Sequence, residues 1–352
     1  MASVNASTSG TNLNFHGDHI LSVQQFERAD VEEIFKVADR MRPFAGRERI
    51  TRVLEGAILS NMFFEPSTRT RVSFGSAFNL LGGNVRETTG IESSSIVKGE
   101  SMRDFARVLS GYSDIIVIRH PETGSADEFA SASQVPVING GDGANEHPSQ
   151  ALLDLYTIRK ELESQNKSVD DFRIALIGDL ANGRAVHSLL KLLKLFKKVT
   201  VQLASPEGLD APPDLIDQLR SGGASVSEFH DLREGIQHVD ILYVTRVQEE
   251  RFPTQDEANY YRGLFRLNQE IYSQYCESNT VIMHPLPRDS RAQSQELDED
   301  LDSNPNLAIF RQTQNGVLIR MALFALIFDV VDDVERYAKP LSWRTPRNRT
   351  GS

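Results

Sequence analysis

Hydrophobic spacing along the chain changes period several times. Residues 1–13 (MASVNASTSGTNL) are rich in Ser, Asn and Thr without periodicity, which predicts a disordered extension. From Ile20 onward apolar positions recur at helical spacing through Val31, Ile34, Phe35 and Val37, so folded structure is expected from about residue 15. GAILSNMFF (56–64) reads as a buried strand, followed by a helix over 68–81 that Gly82-Gly83 stops. DIIVIR (114–119), a helix and VPVING (135–140) continue the strand–helix–strand rhythm, and HPSQALLDLYTIRKELES predicts a long helix ending near Ser164. The rhythm restarts with RIALIGD, a helix over 184–197, KKVTVQLA, a helix near 213–221 and DILYVTR. The most apolar helix is expected at about 315–331, with a packing partner that periodicity does not specify. The tail from Asp332 turns polar and basic, its prolines oppose further helix, and Trp343 is its one side chain suited to docking.

Strands alternating with helices in two successive units predict an α/β fold of two doubly wound domains with mainly parallel sheets, joined by a helix. In such folds ligands bind at the carboxyl ends of strands, here in the cleft between the domains. A length of 352 residues fits two domains.

Charge narrows the choice of partner. Lys plus Arg number 38 against 49 acidic residues, 38 − 49 = −11, which disfavours nucleic acid and anionic membranes. An anion must therefore be held by a local cluster. The single cysteine, Cys276, excludes an intramolecular disulfide and fits a reducing compartment. The longest apolar run, Met321 to Val331, contains Asp329 and is too short to span a bilayer, and no signal peptide is evident. A soluble, cytoplasmic protein is expected.

After GAILSNMFF comes Glu65-Pro66-Ser67-Thr68-Arg69-Thr70-Arg71, which sets three hydroxyls and two guanidiniums close to a helix start. Free helix N–H groups, the helix dipole and planar arginines together suit a phosphate; on these seven residues alone, a capped helix with solvated arginines is an equal reading. The spacing is not that of a nucleotide P-loop, and IGDLANG (177–183) is not a dinucleotide fingerprint. Four further clusters fall at predicted strand ends: Arg119-His120-Pro121, His147-Pro148-Ser149-Gln150, Arg246-Val247-Gln248 and His284-Pro285-Leu286-Pro287-Arg288. Each alone reads as an ordinary polar strand end; together they outline one site. His120, His147, His187, His284 and Cys276 lack metal-ligand spacing, so no metal is expected. Ser67 lies in no nucleophile elbow, which disfavours a covalent serine mechanism.

Taken in order, Ser67-Thr68-Arg69-Thr70, Arg119-His120-Pro121, His147-Pro148-Ser149-Gln150, Gly178-Asp179-Leu180 with Arg184, and His284-Pro285-Leu286-Pro287-Arg288 resemble the transcarbamoylases, over residues 18–328. Thr245-Arg246-Val247-Gln248 and the proline after His284 look like the aspartate branch; the ornithine branch typically has a cysteine there and an S-M-G loop. FFEPSTRTR, GDLANGR, VIMHPLPR and FRQTQNGVLIRMAL look closer to plant-type than to enteric catalytic chains. Ala181-Asn182 and Val97 depart from the enteric pattern at positions of interdomain and loop contact, which leaves regulation through a separate chain open.

The resemblance implies transfer of the carbamoyl group of carbamoyl phosphate to the amine of L-aspartate, in pyrimidine synthesis, without a cofactor. It implies a carbamoyl phosphate-binding domain over 15–148 completed by a C-terminal helix at 312–334, an aspartate-binding domain over 149–311, and outer segments 1–14 and 335–352. It places carbamoyl phosphate on Ser67, Thr68, Arg69, Thr70, Arg119, His147, Gln150, Pro285 and Leu286, with Arg69, Thr70, Arg119 and His147 catalytic. Aspartate falls to Arg184, Arg246 and Gln248. Ser94 and Lys98 are expected to reach a neighbouring subunit's site in a homotrimer, UMP is an implied feedback inhibitor, and a plant or algal source would allow the plastid stroma. A sister carbamoyltransferase for another amino acid and a catalytically silent anion-binding protein are the competing readings.

Overall fold

The computed structural model describes residues 14–90, 99–291 and 294–343. Helix α1 (Arg28–Ala45) precedes a first unit of β1 (Arg49–Ile50), β2 (Ile58–Phe63), α2 (Thr68–Leu80), β3 (Asn84–Thr89), α3 (Met102–Ser110), β4 (Ile115–His120), α4 (Ser125–Ala130) and β5 (Val137–Asp142). Helix α5 (Pro148–Ser164) leads into the second unit. Its elements are β6 (Asp171–Ile177), α6 (Arg184–Leu193), β7 (Lys198–Ala204), α7 (Pro213–Ser221), β8 (Ser225–Phe229), α8 (Leu232–Gly235), β9 (Ile241–Val244), α9 (Gln255–Tyr261), α10 (Gln269–Tyr275) and β10 (Val281–Met283). The chain closes with α11 (Ile309–Ile327), α12 (Asp333–Arg336) and β11 (Lys339–Pro340).

Two large sheets form among the described residues, in strand orders β3-β2-β4-β5 and β10-β9-β6-β7-β8, and every pairing within them is parallel. Helices cover the faces, so β4, β5 and β9 are buried along their whole length; β9 and the first four residues of β4 read as continuous apolar runs. The outer strands β3 and β8 are polar and partly exposed, and they carry little hydrophobic signal. The chain's path through the first sheet reverses between β2 and β4, and through the second between β6 and β9. At such reversals crossover helices leave on opposite faces and open a crevice at the carboxyl edge.

Three local expectations need correction. Helix α6 ends at Leu193, short of 197, because the chain tightens there: Leu195 N–H donates to Leu192 O and Phe196 N–H to Leu193 O. The apolar period survives this turn, since Phe196 is buried beneath the Arg28 guanidinium. Helix α11 starts at Ile309 and stops at Ile327, two residues before Asp329 takes a left-handed φ of 52°. It packs on α1, α2 and α5, with Phe324 edge-on to Phe74 and Phe78. Trp343 does not dock; it is 56% exposed, and the tail is instead held by the short β11–β1 pairing.

Candidate active site

Between the carboxyl edges of the two sheets lies a cavity of about 740 Å³. The segment after β2 contributes Ser67, Thr68, Arg69 and Thr70; β4 contributes Arg119, and the start of α5 contributes His147 and Gln150. From the second unit come Arg184 at the start of α6, Arg246 and Gln248 after β9, and Pro285 and Leu286 after β10. Each described residue assigned to the site from sequence thus lines this one cavity. Ser94 and Lys98 lie outside the described residues.

Three helix starts face the cavity without a side-chain cap: Ser67 before α2, His147 before α5 and Gly183 before α6. Elsewhere Ser101, Thr254 and Asn268 do accept from the first-turn amides of α3, α9 and α10. A first helical turn holds N–H groups with no intrahelical partner, so an uncapped start toward a cavity offers donors and positive potential to an anion. The capped-helix reading of residues 65–71 therefore does not hold for Ser67.

Charge points the same way. Arg69, Arg119, Arg184, Arg246, Arg251 and Arg320 line the cavity against Glu65 and Glu250, 6 − 2 = +4, in a chain whose net charge is −11. Burial and the neighbouring Arg184 push the Arg119 guanidinium down to about 9. Arg69 is lowered by burial and by Arg246. The His147 imidazole, fully enclosed and beside Arg119 and Arg184, is held well below its ordinary value, so it is neutral at pH 7. Its Nδ1 and the Arg119 Nε are buried without hydrogen-bond partners among the described residues. Leaving such groups unmet is costly, and an incoming anion relieves that cost.

In this arrangement Glu65 supplies the missing negative charge. Its Oε2 lies 3.1 Å from Arg119 Nη2 and 3.1 Å from Arg184 Nη2, bridging the two sheets' edges. Arg119 Nη1 also donates to Gly140 O at 3.2 Å, and Arg184 Nη1 to Gly143 O at 2.5 Å. Gly141 permits this approach: it sits at φ 118°, and a Cβ there would lie 2.9 Å from Arg119 Nη1. The second cluster is braced by buried Asp179, which accepts from Asn182 N–H at 3.0 Å and Gln248 N–H at 2.9 Å. Arg246 makes a two-pronged pair with Glu250, at 2.6 Å and 3.2 Å.

Three residues of this wall were not singled out from sequence. Glu65 was read only as part of its motif. Arg320 is buried, donates to Ser73 Oγ at 2.8 Å and Ser149 Oγ at 3.4 Å, and stacks over Phe74, so it ties the second turn of α2 to the first turn of α5. An arginine between Ile319 and Met321 in the most apolar helix was the available signal. Gln312 accepts from His284 N–H at 3.0 Å with Oε1. By contrast His120 turns away from the cavity: its ring packs on Phe64 and its Nδ1 accepts from Glu122 N–H.

Known proteins share this architecture. The family model for the carbamoyl-P binding domain of aspartate/ornithine carbamoyltransferases matches residues 18–160, and the model for the Asp/Orn binding domain matches residues 170–327. The aspartate carbamoyltransferase catalytic subunit of Cellvibrio japonicus is 66% identical over 331 residues, covering 94% of this chain and 98% of the relative. That of Dichelobacter nodosus is 51% identical, covering 93% and 94%. Among solved structures, the catalytic subunit of M. jannaschii aspartate transcarbamoylase superposes with TM-score 0.80 at 42% identity, covering 89% of this chain and 98% of that one. The Trypanosoma cruzi enzyme in complex with N-(phosphonacetyl)-L-aspartic acid gives TM-score 0.80 at 38% identity, covering 90% and 98%.

Proposed function

Because the chain belongs to the aspartate/ornithine carbamoyltransferase family, matched in both of its domains, we infer that it transfers the carbamoyl group of carbamoyl phosphate to the amine of L-aspartate. The products are N-carbamoyl-L-aspartate and phosphate, and the reaction belongs to pyrimidine synthesis. The observation that carries this reading is the single cavity in which an uncapped, arginine-lined helix start faces a second guanidinium cluster across the two sheets.

In the proposed site the phosphate dianion rests on the α2 start with Ser67, Thr68, Arg69, Thr70 and Arg119, displacing Glu65 as the negative partner. The amine lone pair attacks the carbamoyl carbon and a C–N bond forms; the C–O bond to phosphate breaks with its electron pair leaving on phosphate, which takes up the proton that the amine nitrogen sheds. Negative charge collects on the carbonyl oxygen meanwhile, and Thr70, Arg119 and neutral His147 are the donors placed to meet it. Gln150 and the backbone carbonyls of Pro285 and Leu286 accept from the carbamoyl amide. Aspartate's two carboxylates take Arg184, Arg246 and Gln248. The surplus positive charge of the cavity repels the cationic side chain of ornithine, which favours aspartate within the family.

The purified chain, given carbamoyl phosphate and aspartate, is expected to form carbamoyl-aspartate, and to form no citrulline when ornithine replaces aspartate. Absence of phosphate release with aspartate present would overturn the reading in favour of a silent anion-binding protein. The same assay at low carbamoyl phosphate with millimolar UMP tests the plant-type reading of the EPSTRTR and GDLANGR motifs; unchanged rates remove it. A cytoplasmic setting is proposed with this pathway assignment.

We also propose a homotrimer whose sites are shared, with Ser94 and Lys98 of one subunit completing its neighbour's cluster. Inactive Lys98→Ala and Arg69→Ala chains, dissociated, mixed and reassembled, should regain activity at interfaces that join an intact Arg69 to an intact Lys98. Verified mixed trimers as inactive as either parent would refute the shared site.

A further inference from the structure

One buried carboxyl, bonded to two residues that line the cavity, has no part in the chemistry just proposed. Asp154 lies one helical turn beyond Gln150 on α5 and is fully buried. Among the described residues no ion pair within 4.0 Å includes it; Arg320 acts on it only at longer range. Its partners are three neutral donors on three elements. Oδ1 accepts from Gln150 Nε2 at 2.9 Å and from Gln312 Nε2 at 2.6 Å, while Oδ2 accepts from the Tyr243 hydroxyl at 2.7 Å.

The consequence is a fixed polarity for two amides. Oδ1, which takes both glutamines, is an acceptor whether the carboxyl is ionised or carries its proton on Oδ2 against the Tyr243 oxygen, so each glutamine turns its NH2 group toward Asp154 and its oxygen away. Gln312 Oε1 thereby receives His284 N–H at 3.0 Å, immediately before Pro285 and Leu286. The His284 ring holds the same segment, its Nδ1 accepting Leu286 N–H at 2.8 Å and its Nε2 donating to Glu296 Oε1 at 2.8 Å. Gln150 Oε1 accepts no hydrogen bond from the described residues, and Gln150 lines the cavity. A carbamoyl NH2 group has two N–H donors and needs acceptors. A flipped Gln150 would present N–H to N–H.

We propose that Asp154 is a positioning residue for the transfer reaction: from one buried carboxyl it orients, directly at Gln150 and through Gln312 at the Pro285–Leu286 segment, the hydrogen-bond acceptors of the carbamoyl site. This deepens the function proposed above and rests on it. Burial pushes the Asp154 carboxyl up to about 7, a cost that an apolar residue of similar size would avoid. The Tyr243 hydroxyl is pushed well above its ordinary value by burial and by Asp154, so it keeps its proton.

Three substitutions separate positioning from simple stability. Asp154→Ala removes the acceptor, and kcat should fall about tenfold to a hundredfold, the size expected when a hydrogen-bonded group loses its orientation, with the aspartate KM little changed. Asp154→Asn keeps an oxygen for both glutamines and can donate to the Tyr243 oxygen, so it should restore kcat to within about threefold of wild type. Tyr243→Phe deletes a hydrogen bond of equal burial that orients nothing at the cavity; it should lower thermal stability and leave kcat alone. The proposal fails if folded Asp154→Ala keeps wild-type kcat, if Asp154→Asn is as slow as Asp154→Ala, or if Tyr243→Phe is as slow as either. Should Asp154→Ala not fold, Gln312→Met cuts the same link, and wild-type kcat in that variant is equally fatal. Wild-type turnover in the same assay establishes the carbamoyl transfer itself, so these failures would count against Asp154 alone.

Discussion

Arg119→Ala should lower carbamoyl-aspartate formation by about a hundredfold to a thousandfold, the cost of removing one preorganised donor aimed at developing charge. The expectation follows from how this guanidinium is kept. It is almost wholly buried, its Nε has no partner among the described residues, and burial beside Arg184 has lowered it to about 9, which still leaves it protonated at neutral pH. Such a group is held ready for an anion at a cost to folding, so its deletion should leave thermal stability unchanged or raised. A structural arginine would behave in the opposite way, losing stability first and activity only through it. Arg119→Lys should rescue little, because an ammonium cannot reproduce the planar fork that reaches Glu65 and Gly140 O in different directions. Steady-state kinetics with both substrates, paired with thermal unfolding, checks this; a loss of activity under about tenfold in Arg119→Ala would remove Arg119 from the proposed catalytic set.

Much of this site was legible because its residues sit at strand ends, and strand ends in a parallel sheet share one edge. Arg119 closes an apolar run in β4, and β2, β6, β9 and β10 are likewise followed by polar residues that the two sheets' reversals bring to the same crevice. What stayed hidden was not local. The partners of α11 depend on which helices leave a groove open, and Phe324 meets Phe74 across 324 − 74 = 250 residues of sequence, and Phe78 beside it. Arg320 and Gln312 reach the cavity only through that packing. Asp154 looks in sequence like the polar stripe of an amphipathic helix, yet α5 is enclosed on nearly all sides, and its one deep carboxyl is satisfied by β9 and α11. Outer strands β3 and β8 failed for a different reason: they have too little buried surface to print a pattern.

For the second substrate the expected result is a split between the two KM values. Arg246→Ala should raise the aspartate KM by about a hundredfold, the loss of a charged hydrogen-bonded pair, while the carbamoyl phosphate KM moves by less than about threefold. The split arises from the loop's construction. Arg246 is tied to its own segment, donating to Val247 O at 3.1 Å while its backbone oxygen accepts from Gln248 Nε2 at 3.2 Å. Asp179 anchors that segment to the end of β6, on the aspartate side of the cavity. Glu250 pairs with this guanidinium, and since its side chain is half-exposed, the pair contributes little and yields to a substrate carboxylate that brings further contacts. Glu250→Ala should accordingly change the aspartate KM only a few-fold, because it removes a competitor and an orienting partner together. Arg246→Ala lowering affinity for both substrates equally, with a fall in thermal stability, would mean that this arginine braces the loop and that the aspartate carboxylate is bound elsewhere.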